Sequence, residues 1–166
     1  MAFFIPVGKV LAGLLLFGGL VAEAQIAPPM GGAPKAAGYV TYAAEPQTIK
    51  AGKSGMLELH FRVREGFHVN SHTPKSELLI PTAAKFQPAD GVKAADVVYP
   101  AGTEYSFSFE PKEKLDVYTG NFIIKIPVTA VAGEHMLDGS LRYQACDSAA
   151  CYPPKTLPIQ VVFTAK

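Results

Sequence analysis

The chain has 166 residues, with 15 Lys and Arg against 14 Asp and Glu, for a formal net charge of +1. This even balance, with cationic residues scattered along the chain, excludes an electrostatic nucleic-acid binder and a polybasic membrane-surface module. Two cysteines and no tryptophan complete the bounds.

Taken from the N-terminus, Lys9 precedes an apolar run from Val10 to Val21. Ala22-Glu23-Ala24 follows, with small residues at the two positions a signal peptidase reads. One positive charge, an apolar core of about a dozen residues and an A-x-A site describe a secretory signal peptide over residues 1–24. The run falls short of the ~20 apolar residues that cross a bilayer. Cleavage after Ala24, export to the periplasm and a mature chain without membrane insertion are therefore expected. Residues 25–38 are rich in Pro, Gly and Ala and lack periodicity, which describes a flexible leader. The remainder, 39–166, is long enough for a single self-sufficient core.

In that domain the dominant period is two. Leu57, Leu59, Phe61 and Val63 alternate with Glu58, His60, Arg62 and Arg64, which describes a half-buried strand after the turn residues of 51–55. Further strands are expected over 67–70, 84–87, 92–99, 105–109, 117–118, 122–128, 135–145 and 157–163. Pro74, Pro81, Pro88, Pro100 and Pro111 punctuate them, and no long helical pattern appears. Many short strands between Gly and Pro turns point to an all-β, immunoglobulin-like antiparallel sandwich. The distant Cys…Trp…Cys pattern of antibody domains is missing.

The chemistry concentrates in Leu141-Arg142-Tyr143-Gln144-Ala145-Cys146-Asp147-Ser148-Ala149-Ala150-Cys151-Tyr152-Pro153-Pro154. Outside the cytoplasm an available cysteine pair tends to be oxidised. A four-residue excursion brings two Cα atoms within the ~4.4–6.8 Å usual for a disulfide. So short a loop stabilises by at most about 2–3 kcal/mol in the chain-entropy model, a modest return for a structural staple. Pro153 and Pro154 remove two backbone donors and stiffen the exit from Cys151. Spacing alone leaves two readings open: an exchangeable bond, or the structural disulfide of a non-enzymatic immunoglobulin-like interaction module.

The neighbours carry readings of their own. Asp147 disfavours a Cys146 thiolate, whereas Arg142 and Lys155 favour one nearby. Tyr143 and Tyr152 either form a docking rim or pack into the end of the sandwich. Gln144 is expected to hydrogen-bond backbone near the turn. His68 and His72 make an H-x3-H spacing that raises a zinc site with the cysteines. The strand-like surroundings and Pro74 oppose a helix presenting both, so no metal and no cofactor are assigned. His60 and His135 are expected at the surface.

The YQAC-x4-CYPP phrase, with GFHVNSHTPKSELLIPT at 66–82 and VYP at 98–100, resembles the N-terminal periplasmic domain of the DsbD thiol:disulfide interchange family, over nearly all of 39–163. The resemblance implies an immunoglobulin-like domain with both active cysteines near one end. It implies a component of a protein-disulfide reductase system, which takes electrons from a membrane-bound dithiol donor. The electrons pass to periplasmic thioredoxin-fold proteins that isomerise disulfides or mature c-type cytochromes. By motif, Cys151 would form the mixed disulfides and Cys146 would resolve them. The family protein continues into membrane and thioredoxin-like domains, so a separate donor is expected for this chain. The family's cap loop corresponds to 103–110, with Phe107 or Phe109 as the shield over the disulfide. An ordinary strand with Tyr105, Phe107 and Phe109 facing the core is the competing reading.

Overall fold

A computed structural model describes residues 38–107 and 110–166, with Glu110 described by its backbone alone. The signal peptide expected at 1–24, the leader as far as residue 37, and Phe109 lie outside the described residues. The described strands are β1 (Val40–Ala43), β2 (Gln47–Ile49), β3 (Ser54–Val63), β4 (His68–Asn70), β5 (Ala83–Phe86) and β6 (Val92–Ala94). They continue with β7 (Thr103–Phe107), β8 (Glu110–Tyr118), β9 (Asn121–Ala130), β10 (Gly133–Tyr143), β11 (Ala145–Cys146) and β12 (Lys155–Ala165). They form three four-stranded sheets, in the orders β1-β3-β9-β6, β2-β12-β10-β5 and β11-β4-β8-β7.

The first two sheets pack as the sandwich that the period-two pattern implies. On β3 and β9 the register sets Leu57 against Ile126, Leu59 against Ile124 and Phe61 against Phe122, and all six are buried. Their polar neighbours on β3 face the other way, where Lys125 reaches Glu58 at 2.7 Å. The opposing layer comes from β10 and β12, whose Leu137, Leu141, Ile159, Val161 and Phe163 are also buried. Each such side chain stabilises the fold by roughly 1.5–3 kcal/mol relative to exposure. Gln47 ties the layers together at one edge. It lies on β2, parallel to β12, and its side chain clamps the backbone N–H and C=O of Glu58 on β3, both at 2.8 Å.

Some sequence expectations change in detail. The segment 92–99 pairs as a strand only through Ala94 and touches β9 again at a single bridge between Val98 and Lys125. Pro111, expected to punctuate, lies within β8. It sits in the irregular stretch between the Phe107–Glu110 and Tyr105–Leu115 pairs with β7, before β4 joins at Val117 and Tyr118. A missing N–H is tolerated in such a stretch. Gly139 on β10 allows β5 to approach closely: a Cβ there would lie 2.5 Å from Phe86 Cδ1 and 2.6 Å from the Lys85 carbonyl.

The third sheet positions the cysteines. Residues 135–145, expected as one strand, divide at Gln144: β10 ends at Tyr143 in the second sheet and β11 begins at Ala145 in the third. Among the described residues no helix is long and apolar enough to cross a membrane.

Candidate redox site

Cys146 and Cys151 are joined by a disulfide, with an S–S distance of 2.03 Å and Cα atoms 3.9 Å apart. The Cα separation falls below the range expected from the sequence, and the strand geometry accounts for its direction. The two residues face each other across an antiparallel bridge. The flanking hydrogen bonds run from Tyr152 N–H to the Ala145 carbonyl (2.8 Å) and from Asp147 N–H to the Ala150 carbonyl (3.0 Å). The cysteines thus occupy a non-hydrogen-bonded pair, the position at which antiparallel strands bring side chains closest. Their exposures differ sharply: Cys146 is fully buried, and Cys151 is exposed.

The turn between them is organised by Asp147. One carboxylate oxygen accepts the N–H groups of Ala149 (2.8 Å) and Ala150 (2.9 Å), an Asx-type turn. The other accepts the hydroxyl hydrogen of Tyr152 at 2.5 Å. The Tyr152 hydroxyl, followed by the two backbone donors, holds the Asp147 carboxyl below the ordinary aspartate range. The same bond raises the Tyr152 phenol. Tyr152 also stacks on Tyr39 with ring centroids 5.2 Å apart and lies 6.0 Å from Phe67. Arg64 sits 4.2 Å over Phe67, and the Lys155 ammonium sits 4.6 Å over Tyr39. Half-buried rings and two cations therefore surround Tyr152, the residue that follows the exposed Cys151.

On the buried side stands His68. It is registered opposite Cys146 across the β4–β11 pair and is 2 % exposed. Tyr105 of β7 covers its ring at 4.1 Å, and Phe107 lies 5.9 Å away. The β7–β8 hairpin thus folds over the residue beside Cys146, with Tyr105 and Phe107 both partly buried. Burial lowers the His68 imidazole pKa, and the Asp147 carboxylate partly offsets the shift. Its Nε2 is buried with no hydrogen-bond partner.

The other sequence candidates separate into different roles. Tyr143 is buried, and its hydroxyl oxygen accepts the Tyr39 N–H at 3.2 Å. It packs into the sandwich, while Tyr152 stands at the rim. Gln144 serves the crossover between sheets: its side-chain oxygen accepts from Asn70 Nδ2 (3.1 Å) and from the Ile80 N–H (3.2 Å). Pro153 is exposed beyond Tyr152. His72 stacks flat on Tyr99 at 3.7 Å and pairs its Nδ1 with the Thr82 carbonyl at 3.0 Å. His68 and His72 thus engage different neighbours, and among the described residues no group of three or more His, Cys, Asp or Glu gathers as metal ligands. His60 lies near Glu58 at 3.7 Å, and His135 pairs with the Val131 carbonyl at 2.8 Å, both partly exposed.

Sequence reasoning did not single out Tyr39, and it set His68 beside the cysteines only as a weighed zinc ligand. In sequence, the polar His68 alternates with the apolar Phe67 and Val69. Yet His68, Val69 and Asn70 are all buried, because the short strand β4 lies between β11 and β8. Three consecutive buried residues leave no period to read.

Residues 39–162 match the family model described as thiol:disulfide interchange protein DsbD, N-terminal. No curated protein matches the chain. Among solved structures, the chain is similar to the Neisseria meningitidis DsbD N-terminal domain in its reduced form. The identity is 19 %, the match covers 70 % of this chain and 86 % of that one, and the TM-score is 0.45. The N-terminal periplasmic domain of ScsB from Proteus mirabilis is 12 % identical over 74 % of this chain and 44 % of that one, with a TM-score of 0.49. A structure of the complex between the DsbD and PilB N-terminal domains from Neisseria meningitidis aligns at 20 % identity. It covers 66 % of this chain and 77 % of that one, with a TM-score of 0.43.

Proposed function

The chain belongs to the family of DsbD N-terminal domains, and on that premise we propose that it is a periplasmic thiol-disulfide exchange protein that passes electrons to thioredoxin-fold partners. The observation that carries the reading is the asymmetry of the disulfide, with Cys151 exposed and Cys146 fully buried. Exchange proceeds by attack of a thiolate along the S–S axis, and an incoming thiolate has access to the Cys151 side.

In the oxidised protein a donor thiolate attacks Cys151 Sγ. The Cys146–Cys151 bond breaks, its electron pair leaves on Cys146, and a donor–Cys151 mixed disulfide forms. The donor's second thiol then closes on its own sulfur and releases Cys151 as a thiolate. In the forward half-cycle that thiolate attacks the disulfide of a thioredoxin-fold acceptor. Cys146 attacks the resulting mixed disulfide, the intramolecular bond re-forms, and the acceptor leaves carrying both electrons. No cofactor enters either half.

The surroundings suit these roles. The Tyr39, Phe67 and Tyr152 rings, gathered where the chain leaves the cysteine turn, offer a partner an aromatic seat with Arg64 and Lys155 at hand. Tyr105 and Phe107 cover the Cys146 side through His68, the place where a cap would limit access by small thiols. The A-x-A site after an apolar run supports export of the chain to the periplasm.

The test is trapping. Cys146→Ala retains the exposed nucleophile and should accumulate a mixed disulfide with a thioredoxin-fold acceptor, visible on a non-reducing gel. Cys151→Ala should abolish transfer. Wild-type transfer by Cys151→Ala overturns the proposal.

A further inference from the structure

We infer that His68 is the proton acceptor for Cys146, taking the thiol proton as the buried sulfur closes on the Cys151 mixed disulfide and returning it when the bond is opened. This rests on the exchange reading above and adds to it the path of the proton.

A thiol attacks only as its thiolate, and a cysteine buried in apolar surroundings holds its proton more tightly than one in water. Cys146 is fully buried, so bulk solvent cannot take the proton directly. Opposed residues of an antiparallel pair project to the same face, with Cβ atoms about 4.5–5.5 Å apart. His68 is the residue opposed to Cys146. Its Nε2 is buried and unpartnered, an arrangement that folded proteins rarely leave without a use. With the ring proton on Nδ1, the Nε2 lone pair is free to accept. Imidazole is the side chain whose protonation changes near neutral pH.

The groups facing His68 set its balance. Tyr105 from β7 lies against the ring, Cys146 stands across the strand pair, and Asp147 follows directly in the turn. Burial keeps the imidazole neutral while the disulfide is closed, and the Asp147 carboxylate favours its charged form. On closure the Cys146 S–H bond breaks, its proton passes to His68, and the sulfur's electron pair forms the bond to Cys151. The Cys151–partner bond breaks with its electron pair on the departing thiolate. The imidazolium's proton balances the departing thiolate, to which it is passed as the partner leaves, and the ring returns to its neutral form. Reduction by a donor dithiol runs the same steps backwards.

The probe is the aromatic disulfide dithiobis(nitrobenzoate), added in excess to the reduced mature protein, with nitrothiobenzoate release followed by stopped-flow absorbance. Capture at Cys151 gives a phase proportional to reagent, and closure by Cys146 gives a second phase independent of it. In the wild type the closure rate should hold through neutral pH and fall only through an imidazole inflection. In His68→Gln it should fall about tenfold per pH unit below the thiol pKa, and be at least about tenfold slower at pH 7. Asp147→Asn should move the wild-type inflection to lower pH. A wild-type profile in His68→Gln overturns the inference. If near-UV circular dichroism shows that this variant does not fold, the wild-type profile decides: a closure rate governed by the thiol alone, with no inflection near or below neutrality, overturns it. Two phases that both scale with reagent would instead mean independent thiols, which sinks the exchange reading itself.

Discussion

Tyr152 donates its hydroxyl hydrogen to Asp147 across the turn that the disulfide closes, at 2.5 Å. The residue that exits the turn therefore fastens the residue that enters it, independently of the sulfurs. The two N–H groups of Ala149 and Ala150 converge on the same carboxylate. Asp147→Ala should loosen the turn and quicken amide exchange at Ala149 and Ala150, read by hydrogen exchange NMR. Because the folded-state pKa of Asp147 is lowered, its support is fully present above the ordinary aspartate range. It is lost as pH falls through the lowered value. Protection of those two amides in the wild type should disappear over that acidic window and remain constant above it.

The bond should prove reducible. A structural disulfide resists the glutathione pool, with a potential below about −300 mV. Equilibration of this protein with a thioredoxin or glutathione couple should give a higher value, and one below that mark would favour a structural staple.

Phe107 should govern which thiols gain entry. If the β7–β8 hairpin shields the pair, Phe107→Ala should raise the rate of reduction by glutathione several-fold while a protein dithiol gains little. Equal acceleration of both, measured by quenched-flow alkylation, would argue that the ring merely packs.

Acid should destabilise the fold through His68. Its imidazole pKa is lowered in the folded state, with burial the larger cause. The unfolded chain thus binds the proton more readily, and stability rises with pH between the lowered value and the ordinary histidine pKa of about 6.5. Stability is fully present above that window. Urea midpoints measured from about pH 4 to pH 8 should show this slope, and His68→Phe should flatten it.

Gln144→Ala should destabilise by about 1–2 kcal/mol, since it strips an acceptor from the Ile80 N–H and from the fully buried Asn70 side chain. Asn70 Nδ2 keeps its bond to the Ile80 carbonyl at 3.0 Å, which holds the cost at the lower end. Urea denaturation of the oxidised protein measures it.

Much of the sandwich was legible because one strand face is wet and the other dry. Leu57 to Val63 shows that alternation in sequence, and the burial follows it residue by residue. The immunoglobulin-like architecture could be read from many such strands between Gly and Pro turns, and the disulfide between Cys146 and Cys151 from their spacing and the motif around them. What could not be read is where a chain changes sheets. Residues 135–145 look like one run, yet Gln144 carries the strand from the β10 sheet to that of β11, and its hydrogen-bond partners lie 74 and 64 residues away. Long-range polar partners leave no local period. The same holds for His68: its neighbour Cys146 is fixed by pairing of β4 with β11, a register that no window of sequence contains.

The frame around the sulfurs has a consequence for turnover. β10 and β12 pair continuously from Gly133–Ala165 to Tyr143–Lys155, and the cysteine turn is carried beyond the end of that ladder as an appendage. Under the proposed exchange, the linkage to be severed and remade is thus kept off the girders, so the molecule could alternate between two oxidation states without dismantling the platform that presents them.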